Sequence, residues 1–453
     1  MEATQPPEFG DARDAATSPW YDALLRSAGL DPASVTRVEP MRAGLGGGQL
    51  WRLWLSAPII GSTPTSPIAP HDPTSPRWSP ANEPASPTAP AASAASAASD
   101  ASDAGGAVGA AHWSARRIVK VIAPLDGWLS VASADAHVRE FSLWSSGLLA
   151  DLPHSIGTGV VAWQNGRHAG RHADMPATTA SETPGWSALL MRDETARLWR
   201  RPLRTPPGRL PAAIFALLDD LAQMHARFWN DPRLDDTHAV AIGLTPLRAT
   251  LLLASPTTIA ERLALGDPNP YLPLARDGWA AFFTLADPAD AKTLQRAFAE
   301  PEPYIAAIAA LPCTLIHGDV WGPNLGRLPP THTAPRQGHR TLLLDWALTA
   351  AAPATFDPLW FCGVWQTLSP QRLLGTYRAR LIRHLAARGV ALPASVWRSL
   401  ADAGYLRTAL TCGEAFGRAA RGTPAGAARR QAEQRARWWA ARGAQAAQRL
   451  LAV

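Results

Sequence analysis

Polar and apolar positions alternate along residues 116–122, "RRIVKVI", so that Ile118, Lys120 and Ile122 share one face of a predicted strand. Upstream, "VTRVEPMRAGLGGGQLWRLWL" reads as an extended run, a turn at Gly44, Gly46, Gly47 and Gly48, and a second extended run from Gln49 to Leu55. In "SADAHVREFSLWSSGLL" the spacing of Val138, Phe141, Trp144 and Leu148 predicts an amphipathic helix, with Glu140 as its carboxylate beyond the cap region. "IGTGVVAW" and "WSALLMRDE" predict two further strands. From Pro211 the period becomes helical: Ile214, Leu217, Leu218, Leu221, His225 and Phe228 form one long stripe. Helical patterns continue through 246–310, short strands interrupt at 314–345, and helices resume from about 370 to the end.

The order, strands first and helices after, predicts an α+β chain with a small antiparallel-sheet N-terminal lobe and a larger, mainly helical C-terminal lobe. Residues 61–112 are rich in Pro, Ser and Ala, with repeated AAS units and few large apolar side chains. Such a segment cannot bury enough surface to offset its ordering entropy, so it is expected to be a disordered insertion. The expected division is therefore 1–60 and 113–194 as two parts of the first lobe and 195–453 as the second lobe, which closes on a basic terminal helix.

At 453 residues and 47% hydrophobic, the chain is long enough for two cores. It contains no run of 18 apolar residues and its N-terminus lacks a signal-peptide pattern, so the expectation is a cytoplasmic protein without membrane association. Cys313, Cys362 and Cys412 are too few and too scattered for a disulfide framework or a zinc knuckle, and are expected to be small buried hydrophobes. The formal charge is +6, yet the stretch from Arg418 to Arg449 alone carries eight arginines against Glu433. The rest is close to neutral, so no nucleic-acid partner is expected. Trp438, Trp439, Leu450 and Leu451 are predicted to pack this terminal helix with its arginines outward. A basic amphipathic helix touching an anionic partner is the alternative. Against so many arginines, Lys120 and Lys292 are the only lysines.

"TLIHGDVWGPNLGRL" at 314–328 and "TLLLDWALT" at 341–349 carry the chemistry. In each, a short apolar strand delivers a carboxylate, Asp319 or Asp345, and Asn324 stands five residues beyond Asp319. The stretch between the two strands, with His332 and His339, is read as an enlarged hairpin, where no cysteine is near to complete a zinc site. This spacing suits phosphoryl transfer, in which one carboxylate orients or deprotonates an attacking hydroxyl while an amide oxygen and a second carboxylate ligate Mg²⁺.

HGDxxxxN followed by a strand ending in DW resembles the aminoglycoside phosphotransferase and choline kinase group, small-molecule kinases with a protein-kinase-like fold. "LAQMHARFW" at 221–229 and "APATFDPLWF" at 352–361 are also similar to family segments. The resemblance implies Asp319 as catalytic base, Asn324 and Asp345 as metal ligands, His317 as a structural member of the loop, and Asp357 as a structural acid. It further implies that Lys120, held by Glu140, contacts the phosphates, that Gly44, Gly46, Gly47 and Gly48 cover them, and that 189–194, with Met191 and Asp193, offers backbone groups to a purine. ATP, or GTP in its place, and Mg²⁺ would be required, with a small-molecule hydroxyl as acceptor. Beyond Asp345 the only acids are Asp357, Asp402, Glu414 and Glu433, whereas tryptophans are plentiful, among them Trp346, Trp360, Trp365 and Trp397. Asp193, Glu194, Asp219 and Asp220 are the earlier acids expected to reach the cleft. The sparsity of acids disfavours a polycationic aminoglycoside, leaving a sugar-like compound or an amino alcohol. A nucleotide-binding pseudokinase, acting as sensor or interaction module, is the competing class.

Overall fold

The computed structural model describes residues 19–41, 49–55, 116–122, 139–166, 186–199, 211–234, 255–329, 340–365 and 368–452. The glycine turn at Gly44, Gly46, Gly47 and Gly48, the 61–112 segment, Val138, His332 and His339 lie outside these residues.

Helix α1 (Pro19–Ser27) precedes a five-stranded antiparallel sheet of order β1-β2-β3-β6-β5, formed by β1 (Val35–Met41), β2 (Gln49–Leu55), β3 (Arg116–Ile122), β5 (Val160–Gly166) and β6 (Trp186–Arg192). Leu24 and Leu25 of α1 join Trp51, Leu53, Val119 and Leu190 in an apolar cluster on one face of the sheet. On β3 that face takes Arg117 and Val119, which are buried. The strand's two-residue period therefore turns Ile118, Lys120 and Ile122 to the other side, where they are half-buried. There the short α2 (Arg139–Ser145) brings in Glu140. This helix is shorter than its apolar spacing predicts. It stops before Gly147, whose positive φ of 75° redirects the chain, and Leu148 is buried from the following 3-10 turn.

A second and larger apolar cluster is built by α3 (Ala212–Arg227), α4 (Pro256–Ala264), α5 (Tyr271–Leu285), α6 (Pro288–Ala299), α7 (Glu302–Ala309) and four later helices. These are α8 (Phe356–Trp365), α9 (Pro370–Ala386), α10 (Ala394–Gly422) and α11 (Ala427–Leu451). The Ile214, Leu217, Leu218, Leu221 and His225 stripe of α3 is buried as predicted. Helix α10 lies between α5 and α11. Its crossing with α5 is backbone on backbone, since a Cβ at Gly278 would strike the Glu414 carbonyl and one at Gly417 the Gly278 carbonyl. On α11, Trp439 and Leu450 are buried and Trp438 is half-buried, but Leu451 is 44% exposed, contrary to its expected inward position. Leu451 stands about 100° around the helix from the buried Leu450, beyond the packed side.

Two small sheets interrupt the helices between α7 and α8, with one strand, β4 (Ile156–Gly157), contributed from ahead of β5. β7 (Thr314–Ile316) pairs with β10 (Ala350–Ala352), while β9 (Arg340–Leu343) pairs antiparallel with β8 (Leu325–Leu328) and parallel with β4. The two motif strands, β7 and β9, are thus not partners. The predicted hairpin is made by β8, after the HGD loop, with β9. Among the described residues no helix is long and apolar enough to cross a membrane, and Cys362 and Cys412 are buried and unpaired.

Candidate active site

Lys120 reaches from the half-buried face of β3 to two carboxylates. Its Nζ lies 2.6 Å from Glu140 Oε2 and 2.8 Å from Asp345 Oδ1. Burial opposes the ammonium charge, but Glu140 and Asp345 outweigh it and hold Lys120 above its ordinary range. Burial pushes Glu140 up against the pull of the same ammonium, whereas at Asp345 the lysine prevails over burial and keeps the carboxylate ionised. The question posed by a lone lysine in an apolar run is answered by this triad, for a cation on that face has two anions waiting.

Asp345 follows β9 with φ of +61°, in the left-handed region that Asp tolerates better than most residues. The neighbouring Leu344 ties this strand end to the catalytic-loop candidate twice. Its N–H donates to the Asn324 carbonyl at 2.9 Å, and its carbonyl accepts from His317 Nε2 at 3.0 Å. His317 Nδ1 in turn accepts the Asp319 N–H at 3.2 Å, which fixes the tautomer with the proton on Nε2. Burial lowers the His317 pKa, so the ring is neutral and bridges the two motif segments. Trp346 closes over it edge to face, with ring centres 4.7 Å apart.

Asp319 accepts the Asn324 Nδ2–H at 2.9 Å on Oδ2 and the Trp360 Nε1–H at 3.1 Å on Oδ1. Burial first, and the Asp345 charge second, raise its pKa to about 6. Asn324 spends its nitrogen on Asp319, which leaves its amide oxygen as the donor atom for a cation. Among the described residues no cluster of three or more His, Cys, Asp or Glu could hold a metal. One amide oxygen and one carboxylate fit instead a hard ion that keeps waters and shares phosphate oxygens, as Mg²⁺ does.

The loop is suspended from below by Asp357 at the start of α8. Its Oδ2 and Oδ1 accept the His317 and Gly318 N–H groups, each at 2.8 Å, and His225 Nε2 lies 3.1 Å from Oδ2. Burial would raise this carboxylate, yet these hydrogen bonds bring it below its ordinary range. Asp357 and His225, both fully buried, are therefore structural, as the sequence suggests. Gly318 has φ of +83°, and a Cβ there would meet the Leu348 carbonyl.

Met191 sits on β6, paired with β3 on one side and β5 on the other. Beyond it the Asp193 N–H donates to the Arg116 carbonyl, while its carboxylate bonds Thr195 and lies 2.9 Å from Arg52. Other acids expected near the cleft are engaged elsewhere: Glu194 with Arg192 and Arg197, Asp219 with Arg383 and His384, and Asp220 with Thr341. Of the four tryptophans, Trp346, Trp365 and Trp397 are core, and Trp360 alone touches Asp319.

Arg407 escaped the sequence reading. Buried on α10, it donates from Nη2 to the Gly318 carbonyl at 2.9 Å and lies over the Trp360 and Phe356 rings at 5.0 and 5.2 Å. Its apolar neighbours Ala403, Leu406 and Leu410 mark a charge on a buried helix face, the one signal that could have found it.

No protein-family model and no curated protein matches the sequence. Solved structures similar to this chain include an aminoglycoside phosphotransferase and choline and ethanolamine kinases. One, from Ralstonia eutropha JMP134 and described as an aminoglycoside phosphotransferase, is 14% identical, with 92% of this chain and 95% of that one covered and a TM-score of 0.35. Choline kinase from Cryptosporidium parvum is 9% identical over 91% and 90%, with a TM-score of 0.41. Plasmodium vivax ethanolamine kinase is 11% identical over 71% and 74%, at 0.37.

Proposed function

We propose that the protein is a two-lobed, ATP- and Mg²⁺-dependent kinase that phosphorylates a hydroxyl of a small molecule. The observation that carries this reading is the convergence of Lys120, Glu140, Asp319, Asn324 and Asp345, from separate segments, into one connected set of ion pairs and hydrogen bonds through His317 and Leu344.

In this reading Asp319 orients the acceptor O–H and accepts its proton as the oxygen bonds to the γ-phosphorus and ADP departs with the electrons of the broken P–O bond. Asn324 keeps the Asp319 carboxylate in place through its amide nitrogen. Mg²⁺, held by the Asn324 oxygen and Asp345, would neutralise phosphate charge. Lys120, steadied by Glu140, supplies a fixed cation for the nucleotide phosphates. The 189–194 segment serves as hinge for a purine.

The test is ADP release by the full chain with ATP and Mg²⁺ against pooled sugars, amino alcohols, nucleosides and aminoglycosides, with Asp319→Asn alongside. Turnover with one pool, falling by 10²-fold or more in the variant while nucleotide binding persists, is the expected result, on the order of what a positioned general base contributes. Nucleotide binding without turnover in any pool would leave an untested acceptor or a sensor, and would shift the weight toward the sensor.

A further inference from the structure

Arg407 is a buried cation with no carboxylate in ion-pair reach. It is 4% exposed on α10, and among the described residues it makes no ion pair. Its hydrogen bonds go to the backbone instead, from Nη2 to the Gly318 carbonyl at 2.9 Å and from Nη1 to the Phe356 carbonyl at 3.4 Å. Burial weighs against the charge more than the Asp357 and Asp319 carboxylates beyond favour it. A buried charge without a salt bridge is a cost to stability. Its place in the fold is therefore explained by what it holds.

It holds the joint before Asp319. The Gly318 carbonyl and the Asp319 N–H belong to one peptide plane. The N–H donates to His317 Nδ1 at 3.2 Å and the carbonyl accepts from Arg407, so the plane is gripped at both edges. Gly318, with φ of +83° and no Cβ, is the residue about which that plane could otherwise turn, and turning it would redirect the Cα–Cβ bond of Asp319. The same guanidinium lies against the rings of Phe356 and Trp360, at 5.2 and 5.0 Å, one turn apart on α8. Trp360 in turn donates its Nε1–H to Asp319 Oδ1. Asp319 is thus restrained by its backbone plane, by Trp360 and by Asn324, and the first two restraints pass through Arg407. Arg407 is itself fixed, because α10 meets α8 closely on either side of it. A Cβ at Gly404 would come within 2.7 Å of Leu359 and 2.8 Å of Thr355, and one at Gly363 within 2.8 Å of Thr408.

We propose that Arg407 is the positioning residue of the site, aiming the Asp319 carboxylate by locking the Gly318–Asp319 peptide plane and the Trp360 indole to one buried guanidinium. This rests on the phosphotransferase reading above. Arg407 acts through these groups, not on the acceptor or the nucleotide.

The test is a double-variant cycle in the full chain, read on the Trp360 indole N–H line in ¹⁵N TROSY spectra, with Trp360→Phe assigning the line. Asp319→Asn changes the acceptor of that N–H and should move the line in wild type. The move is expected to persist in Arg407→Lys, which keeps the charge and a donor for the Gly318 carbonyl. In Arg407→Met it should shrink to less than about half, as for two groups no longer held together. If Arg407→Met does not fold, Arg407→Gln carries the same cycle, since its short neutral amide cannot hold both carbonyl and indole. ADP release against the acceptor pools should drop about tenfold or more in Arg407→Met while calorimetric Mg-ATP affinity stays within about twofold, as for a misaimed base beside an intact nucleotide site. A line that Asp319→Asn does not move in wild type, or moves as far in Arg407→Met, would overturn the proposal. So would wild-type turnover in Arg407→Met, or a parallel loss of turnover, nucleotide affinity and melting temperature. The cycle needs no turnover and decides the role of Arg407 even where no pool is phosphorylated. A wild type that neither binds nucleotide nor releases ADP sinks the phosphotransferase reading alone.

Discussion

Asp319 is poised differently from the other acids of the site. Asp345 and Asp357 are held ionised by Lys120 and by the His317, Gly318 and His225 hydrogen bonds, whereas burial and the Asp345 charge raise Asp319 to about 6. Under the proposed function Asp319 must be deprotonated to act, so activity is expected to fall as pH drops through about 6, while any nucleotide binding through Lys120 persists. The same shift has a stability consequence of opposite sense. A carboxyl whose folded pKa lies above its unfolded value binds more protons when folded, so this group's contribution to stability is lost as pH rises from about 4 to above 6. Asp319→Asn removes that loss. Its melting temperature at pH 8 should equal or exceed that of the wild type despite the weakened bond to Trp360. A pH–rate profile and melting curves at pH 5 and pH 8 check both halves. A bell without an acid limb near 6, or a variant much less stable at pH 8, would remove Asp319 from the role of buried base.

Elements bring these residues together with small tolerances, and the tolerances are tightest at glycines. Gly278 on α5 and Gly413 and Gly417 on α10 let the two helix backbones touch, with Trp279 against Gly413. Gly417→Ala must push the helices apart, and the cost of such overpacking is about 1–3 kcal/mol. Thermal unfolding should show that loss, while Lys120, Glu140 and Asp345, on β3, α2 and the end of β9, retain nucleotide affinity in the folded fraction. An unchanged melting temperature would mean that the crossing is looser than its backbone contacts indicate. Much of this level was readable beforehand: the alternation around Lys120, the α3 stripe and the HGD and DW strand ends all follow from two-residue and 3.6-residue periods. What escaped was non-local pairing. "AAA" at 350–352 has no strand propensity of its own and is a strand because β7 needs a partner, and β4 joins β9 from nearly two hundred residues away. Arg407 was hidden for a similar reason, since one arginine among so many acquires meaning only when α10 places it under Trp360 and Gly318.

On the scale of the whole molecule, the basic terminus is the feature whose sequence and structural meanings diverge most. Composition sets it apart as a charged tail, yet α11 lies along α10 and contacts α6 and α7, burying Trp439, Ala440, Ala444, Ala447 and Leu450. Gly443 touches Ala409 of α10 so closely that a Cβ would collide with it. Arg449 grips Asp402, and Arg429 and Arg437 flank Glu433 one turn to either side, so part of the positive charge is paired within the fold. Because α10 also carries Arg407, which supports Gly318, the inner helices that hold the catalytic-loop candidate depend on the cover that α11 supplies. Removing residues after 422 should therefore expose a continuous apolar face on α10 and yield an aggregating or unfolded chain, not a trimmed enzyme. The triple variant Arg429→Gln, Arg430→Gln, Arg437→Gln removes exposed charge and the two surface pairs to Glu433 without touching the buried face, and should keep the fold, with a stability change within about 0.5 kcal/mol per site. Circular dichroism and size-exclusion profiles of the two proteins separate charge from cover. A truncated chain that remains monomeric and cooperatively folded would show that α11 is an appendage after all, and would return its arginines to the role of a partner-binding surface.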